Sequence, residues 1–183
     1  MKKSINLNYS FTFLLVALFL VSCSKDSTPE VIEEQELITT VTLEITAANQ
    51  PTQSIRWKVD ETNNNTVSLK ANTDYEVSIG FLDESDPGDV EDITEEVREE
   101  ADEHQVFYEF SNVSVSYSSS DTDTLDGDGN PVFIKSIWNA STTGSGIIRA
   151  YLIHEPTTKN SSTRAGFGGE TDVEIDIPIT VIE

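Results

Sequence analysis

Residues 74–81 read DYEVSIGF, and this stretch decides the fold class. Every second residue in it is large and apolar, and the residues between are acidic or small: Tyr75, Val77, Ile79 and Phe81 alternate with Asp74, Glu76, Ser78 and Gly80. Side chains of a β-strand point alternately to its two faces. A period of two therefore predicts a strand with one buried face and one face in water.

The same alternation recurs along the chain, at 41–45, 55–59, 113–117 and 173–181, and less regularly at 105–110, 132–138 and 147–154. About eight strands, each with one apolar face, must bury those faces against each other, and two stacked sheets are the common solution. We therefore predict a mainly β protein, with one immunoglobulin-like antiparallel β-sandwich over residues 37–183. In its last strand Asp172, Glu174 and Asp176 are expected to face outward, and Pro178 indicates an edge or a bulge.

One acidic stretch breaks the strand pattern, DESDPGDVEDITEEVREEADEHQ at 83–105. After the turn signal Asp-Pro-Gly, apolar residues return at helical spacing, which predicts a short acidic helix near 92–104 with its buried face formed by Ile93, Val97, Ala101 and His104. Asp92 and Glu95 are expected to cap its start. Acids also crowd its carboxyl end, where the helix dipole disfavours them, so a cation nearby would relieve the repulsion.

The chain has two histidines, at the predicted helix end and at the end of the strand IIRAYLIHEP. If the face of that strand carrying Ile148 and Leu152 points inward, both histidines look into the body of the domain. Imidazole together with carboxylates can hold a divalent transition metal. The candidate ligands are His104, His154, Glu100, Glu103 and Glu155. The alternative interpretation is that each histidine is a hydrogen-bonded residue at the end of an element.

A second cation candidate is DTDTLDGDGNP at 121–131. Asp126, Asp128 and Asn130 have the alternating spacing of a calcium loop. Pro131 stands where that pattern requires glycine, and no glutamate follows at the loop end. The alternative is a hairpin turn between two strands, which Asp-Gly and Asn-Pro favour.

The amino terminus predicts where the protein resides. Two lysines precede an apolar run, 11–21, that is shorter than the roughly 20 residues of a membrane span and fits a secretory signal. The run ends in Leu20-Val21-Ser22-Cys23, which resembles a bacterial lipobox. We predict a lipoprotein signal peptide over 1–22, lipid attachment at Cys23 and a flexible acidic tether over 23–36. The alternative is an ordinary signal peptide with an incidental cysteine.

Composition narrows the function classes. The formal net charge is −22, which disfavours nucleic acid and anionic head groups as ligands and favours cations or a basic partner. The alternative is that the acids only keep the domain soluble. No nucleophile-elbow or His-Glu-x-x-His motif is present, so we do not predict an enzyme.

The stretches EDITEEVREEADEHQVFY, LIHEP and GGETDVEIDIPITV resemble a family of small flavobacterial lipoproteins, over about Leu37 to the end. Some members carry the label type 1 periplasmic binding fold superfamily protein, which implies a doubly wound α/β domain. The residues of this chain lack the alternating strands and helices of that fold. Small lipoproteins of this kind in Bacteroidota are associated with TonB-dependent receptors of the outer membrane, which implies a receptor partner.

Two hypotheses follow for the function. The first is an outer-membrane lipoprotein, on the periplasmic side or the cell surface, that captures a metal or small ligand for a TonB-dependent receptor. A divalent cation is then its cofactor or cargo. The second is a structural or adhesive surface domain without a small-molecule ligand.

Overall fold

The computed structural model of the protein describes residues 36–183, and the predicted signal peptide, the lipid attachment predicted at Cys23 and residues 23–35 of the predicted tether lie outside them. The described part contains nine strands and two short helices. The strands are β1 (Thr40–Thr46), β2 (Gln53–Lys58), β3 (Val67–Lys70), β4 (Thr73–Leu82), β5 (His104–Ser111), β6 (Ser114–Ser119), β7 (Lys135–Thr142), β8 (Gly144–His154) and β9 (Glu170–Ile182); the helices are α1 (Ile93–Glu99) and α2 (Arg164–Phe167).

Two sheets form the predicted β-sandwich, which confirms the fold class. The five-stranded sheet has the order β2-β1-β4-β7-β6, and the four-stranded sheet has the order β3-β9-β8-β5. One pairing corrects the purely antiparallel prediction, because β3 runs parallel to β9. Strand β3 has four residues, too few for a period of two to stand out from the sequence.

The alternation in β4 and β9 places their apolar residues in one core between the sheets. Tyr75, Val77, Ile79 and Phe81 of β4 are all buried, as are Val173 and the alternate residues that follow it in β9. Pro178 lies on β9 one residue before the pairing with β3 begins, where the strand still has an edge on that side. At roughly 2 kcal/mol for each fully buried aliphatic side chain, this core is the main source of stability.

The acidic helix is present but shorter than predicted. It begins after Asp92, whose carboxylate accepts a hydrogen bond from the Thr94 N–H, and its last residue is Glu99. Glu95 binds the side chain of Arg98 and does not complete a capping box. The apolar spacing continues to His104, but that residue opens β5, because there the chain makes ladder hydrogen bonds with β8 in place of another helical turn.

Residues 36–183 therefore do not form the doubly wound α/β fold that the family label implies. Helix α2 is a single turn that buries Phe167 against Phe107, Tyr151 and Ile153 on the outer face of the four-stranded sheet. Among the described residues, no helix is both long enough and apolar enough to cross a membrane.

Candidate metal centre

The two histidines form a cross-strand pair. His104 at the start of β5 lies directly opposite His154 at the end of β8. Their rings stack with centroids 5.1 Å apart and planes within 5° of parallel. The same strand faces carry core residues such as Val106 and Leu152, so both histidines point inward, an orientation that the sequence had left open. Antiparallel pairing thus brings together the two imidazoles that 50 residues of sequence separate.

Glu36 approaches the pair from the segment that precedes β1. Its Oε1 lies 3.1 Å from Nε2 of His104, and the side chains are 8% and 0% exposed respectively. The contact is not aligned as a hydrogen bond, so His104 Nε2 has no hydrogen-bond partner within residues 36–183, and the second carboxylate oxygen of Glu36, Oε2, has none there either. The main-chain carbonyl of Glu100 lies 3.1 Å from His104 Nδ1 on the other side of the ring.

A β-bulge adds a second buried carboxylate. Leu152 pairs with Val173 and Ile153 pairs with Thr171, so Asp172 is the extra residue on β9. A bulge re-aims side chains, and the Asp172 side chain is 1% exposed, with Oδ1 3.9 Å from Nδ1 of His154. The prediction that Asp172 faces outward is wrong, because strict alternation holds only without a bulge. Neither oxygen of Asp172 accepts a hydrogen bond from the described part of the chain.

Burial and the carboxylates around the two histidines shift the pKa values of Asp172 and His104. Burial raises the pKa of Asp172 to about 6, and the charge of Glu36 adds to that effect while His154 opposes it. Burial alone would lower the pKa of His104, but the contact with Glu36, its charge and the Glu100 carbonyl raise the pKa above its ordinary value. Buried carboxylates without donors are costly, so the group favours a positive charge among its members.

We define the histidine cluster as Glu36, Glu100, His104, His154 and Asp172. Three of the five predicted metal ligands belong to it. Glu103 lies at its rim, with Oε2 3.9 Å from Nε2 of His154 and a half-exposed side chain. Glu155 has an exposed side chain and contributes only its main chain, whose N–H donates to the Glu103 carbonyl.

Sequence reasoning missed Glu36 and Asp172. Glu36 is the last residue of the predicted tether, and nothing in its neighbourhood distinguishes it from the other acids of that segment. Asp172 sits in a regular alternating strand whose bulge leaves no trace in the sequence. No local signal could have found either residue.

The geometry of the cluster suits a divalent metal ion. Glu36, Glu100 and His104 each offer a ligand atom, and these atoms lie within 4.8 Å of one another. Two ligand atoms on one tetrahedral zinc ion lie about 3.4 Å apart. The 3.1 Å contact between Nε2 of His104 and Oε1 of Glu36 is close to that spacing, and the 3.9 Å distance between His154 and Asp172 belongs to a separate pair beside it. Mixed imidazole and carboxylate ligands suit zinc, iron, manganese or nickel.

The loop at 126–130 has a different organisation. Oδ1 of Asp126 accepts the N–H groups of Asp128 and Asn130, and its Oδ2 accepts the Asn130 side-chain amide. Leu125 bridges to Pro131, so the segment closes as a small hairpin between β6 and β7. A calcium ion at Asp126, Asp128 and Asn130 would have to compete with these internal donors, and calcium binding there stays a prediction.

The cation expected near the acidic helix end is Lys159. Its ammonium donates to the main-chain carbonyls of Ala101 and, at 2.7 Å, His104, and it lies 3.6 Å from Oδ2 of Asp126. Burial lowers the pKa of Lys159, and the charge of Asp126 opposes that effect. Lys159 therefore links the loop that follows β8 to the segment that leads into β5, and it helps to fix the position of His104.

Comparisons with protein-family models, with curated proteins and with solved structures found no match to this chain. The functional conclusion therefore rests on the residues themselves.

Proposed function

We propose that this protein is an outer-membrane lipoprotein, anchored through Cys23, that captures a divalent transition-metal ion in the histidine cluster and delivers it to a TonB-dependent receptor. In this proposal the protein binds and transfers the ion and catalyses no reaction. The ion is cargo, held by the imidazole of His104 and the carboxylates around it.

One observation carries the metal-binding part of the proposal. Two stacked imidazoles meet carboxylates that are almost fully buried and have no donors from residues 36–183, namely Asp172 and Oε2 of Glu36. A core arrangement that served stability alone would satisfy these oxygens, because an unsatisfied buried polar group costs about 1–3 kcal/mol. A bound cation satisfies them and offsets their mutual repulsion.

Charge and ligand chemistry support the choice of ion. The net charge of −22 raises the concentration of cations near the surface. Calcium and magnesium prefer sites built from oxygen atoms alone, whereas imidazole ligands select zinc and its neighbours. Nε2 of His104 is buried without a hydrogen-bond partner in residues 36–183, so it is available to an ion there as a nitrogen ligand.

Isothermal titration calorimetry with zinc tests the capture function, and cobalt provides an absorption spectrum for the same site. The wild-type protein is expected to bind one equivalent. The variant His104→Gln is expected to lose at least tenfold in affinity, whereas Glu155→Gln, which alters an exposed carboxylate next to the cluster, is expected to bind as the wild type does. Equal binding by wild type and His104→Gln would contradict the proposal.

Mass spectrometry of the native protein tests the anchor. An acylated Cys23 at the mature amino terminus is the expected result, and Cys23→Ser is expected to leave the membrane fraction. An unmodified thiol on a chain outside the membrane fraction would contradict both the proposed outer-membrane location and the proposed delivery to a receptor.

Co-purification from membranes tests the receptor. A TonB-dependent receptor is expected to accompany the lipidated protein. Recovery of matrix components or of self-associated protein alone would instead favour the adhesive surface domain.

A further inference from the structure

We infer that metal binding closes a clasp between the two sheets, with Glu36 on one side and His104 on the other. The inference rests on the proposed metal capture, and it concerns what occupancy does to the fold. We call residues 36–39 the lead-in segment, since they lead into β1.

The lead-in segment is held to the five-stranded sheet at its carboxyl end. The Thr39 N–H donates to the Leu82 carbonyl at 3.0 Å, the Thr39 carbonyl accepts from the Val59 N–H at 3.0 Å, and Ile38 is buried in the core. Its amino end lacks such support. Leu37 is 59% exposed, and neither Glu36 nor Leu37 makes a main-chain hydrogen bond to another residue in 36–183.

The side chain of Glu36 is therefore the main attachment of this end. It reaches across to His104, which belongs to β5 of the four-stranded sheet, and it lies beside Glu100 at the end of α1. Strands β1 and β5 belong to different sheets. An ion bound by Glu36 and His104 consequently cross-links the two sheets at this end of the sandwich.

The charges explain why the ion controls the clasp. Without a cation, Oε2 of Glu36 and both oxygens of Asp172 are buried with no hydrogen-bond donor in residues 36–183, and like charges in a poorly solvated site repel each other. A divalent ion turns that repulsion into two attractions. Occupancy should therefore hold the lead-in segment in place, and loss of the ion should release Glu36 and Leu37 first.

Hydrogen–deuterium exchange of the full-length mature protein tests the clasp, with zinc or with chelator, in wild type and in Glu36→Gln. Glu44→Gln is the matched control, because Glu44 lies on β1, is exposed and contacts Ser54 rather than the cluster. Calorimetry first sets a zinc concentration that saturates each variant. Zinc is expected to slow exchange of the Thr39 amide, the main-chain donor of the lead-in segment that has an acceptor within residues 36–183, at least tenfold in wild type and in Glu44→Gln, and to have no effect there in Glu36→Gln.

The outcomes separate the two proposals. Stoichiometric zinc binding without slower exchange in the lead-in segment would overturn the clasp and leave metal capture intact. Protection that persists in Glu36→Gln would also overturn it, since another residue would then hold the segment. Absence of zinc binding to the wild type in calorimetry would overturn metal capture and the clasp with it.

Discussion

The carboxylate of Asp172 lies 3.9 Å from Nδ1 of His154, and a single extra residue in β9 is what brings it there. Without the bulge, Asp172 would share the wet face of β9 with Glu174 and the cluster would lose its most buried acid. The bulge thus turns a surface position into an interior one without changing the residues on either side.

Asp172→Asn should stabilise the metal-free protein at neutral pH. The pKa of Asp172 in the folded protein is about 6, above the value of 3.8 for an unperturbed aspartate. Its favourable contribution is therefore complete below pH 3.8 and is lost as the pH rises through 6. Urea unfolding in chelator should show the variant more stable at pH 7.5, by up to about 2–3 kcal/mol, with the difference shrinking towards pH 4.

Asp121→Asn is the control for this effect, because Asp121 is an exposed loop acid. It should leave the pH dependence of unfolding unchanged. An identical pH dependence in wild type and Asp172→Asn would show that Asp172 does not carry the buried charge.

Zinc or cobalt should raise the melting temperature of the protein, and chelator should reverse the rise. A ligand at 100 times its dissociation constant stabilises the folded state by about 2.7 kcal/mol. Calcium and magnesium at the same concentration should have a much smaller effect, since His104 supplies nitrogen. A comparable shift with calcium that Asp126→Asn abolishes would instead identify the 126–130 loop as the cation site.

Lys159→Met should destabilise the protein by about 3 kcal/mol. The substitution keeps the length of the side chain but leaves two partly buried carbonyls, those of Ala101 and His104, without this donor, and unsatisfied buried groups cost about 1–3 kcal/mol each. Lys70→Met, on an exposed position of β3, should change stability by less than about 0.5 kcal/mol. Denaturant unfolding of the two variants measures the contrast, and equal effects would contradict the assigned role of Lys159.

Gly146→Ala should disrupt the contact between β8 and the end of β5. A Cβ built at Gly146 would lie 2.0 Å from the Ser111 carbonyl oxygen, which is backbone and cannot move aside cheaply. We expect a loss of about 3 kcal/mol or more, at the upper end of overpacking effects. Gly144→Ala on the same strand is the control, because its Cβ would meet nothing nearer than 3.8 Å. Comparable melting temperatures for both variants would argue against a tight approach at Gly146.

Much of the fold could be predicted because long strands with one wet face carry a clear period of two. Strands β4 and β9 show it over four or more apolar residues each, and their burial follows it. Strand β3 escaped prediction because its two apolar residues, Val67 and Leu69, form too short a pattern. The predicted helix is longer than the observed one because Ala101 and His104 continue the apolar spacing, although the helix itself ends at Glu99.

The site could be predicted only in part. His104 and His154 were found because histidine is rare in this chain and both fall at ends of elements. Their direct pairing depends on the register of β5 against β8, which their local sequences do not encode. The place of Glu36 in the cluster depends on a long-range contact with His104, and that of Asp172 depends on a β-bulge. Both features are properties of the assembled sheets.

The parallel pairing of β3 with β9 has a consequence for biosynthesis. Within residues 36–183, the one strand partner of Val67 is Ile179, and β9 is an interior strand flanked by β3 and β8. Contacts so distant along the chain form slowly. The nascent polypeptide thus cannot complete this layer until β9 has emerged from the ribosome, and β3 stays without this strand partner until then.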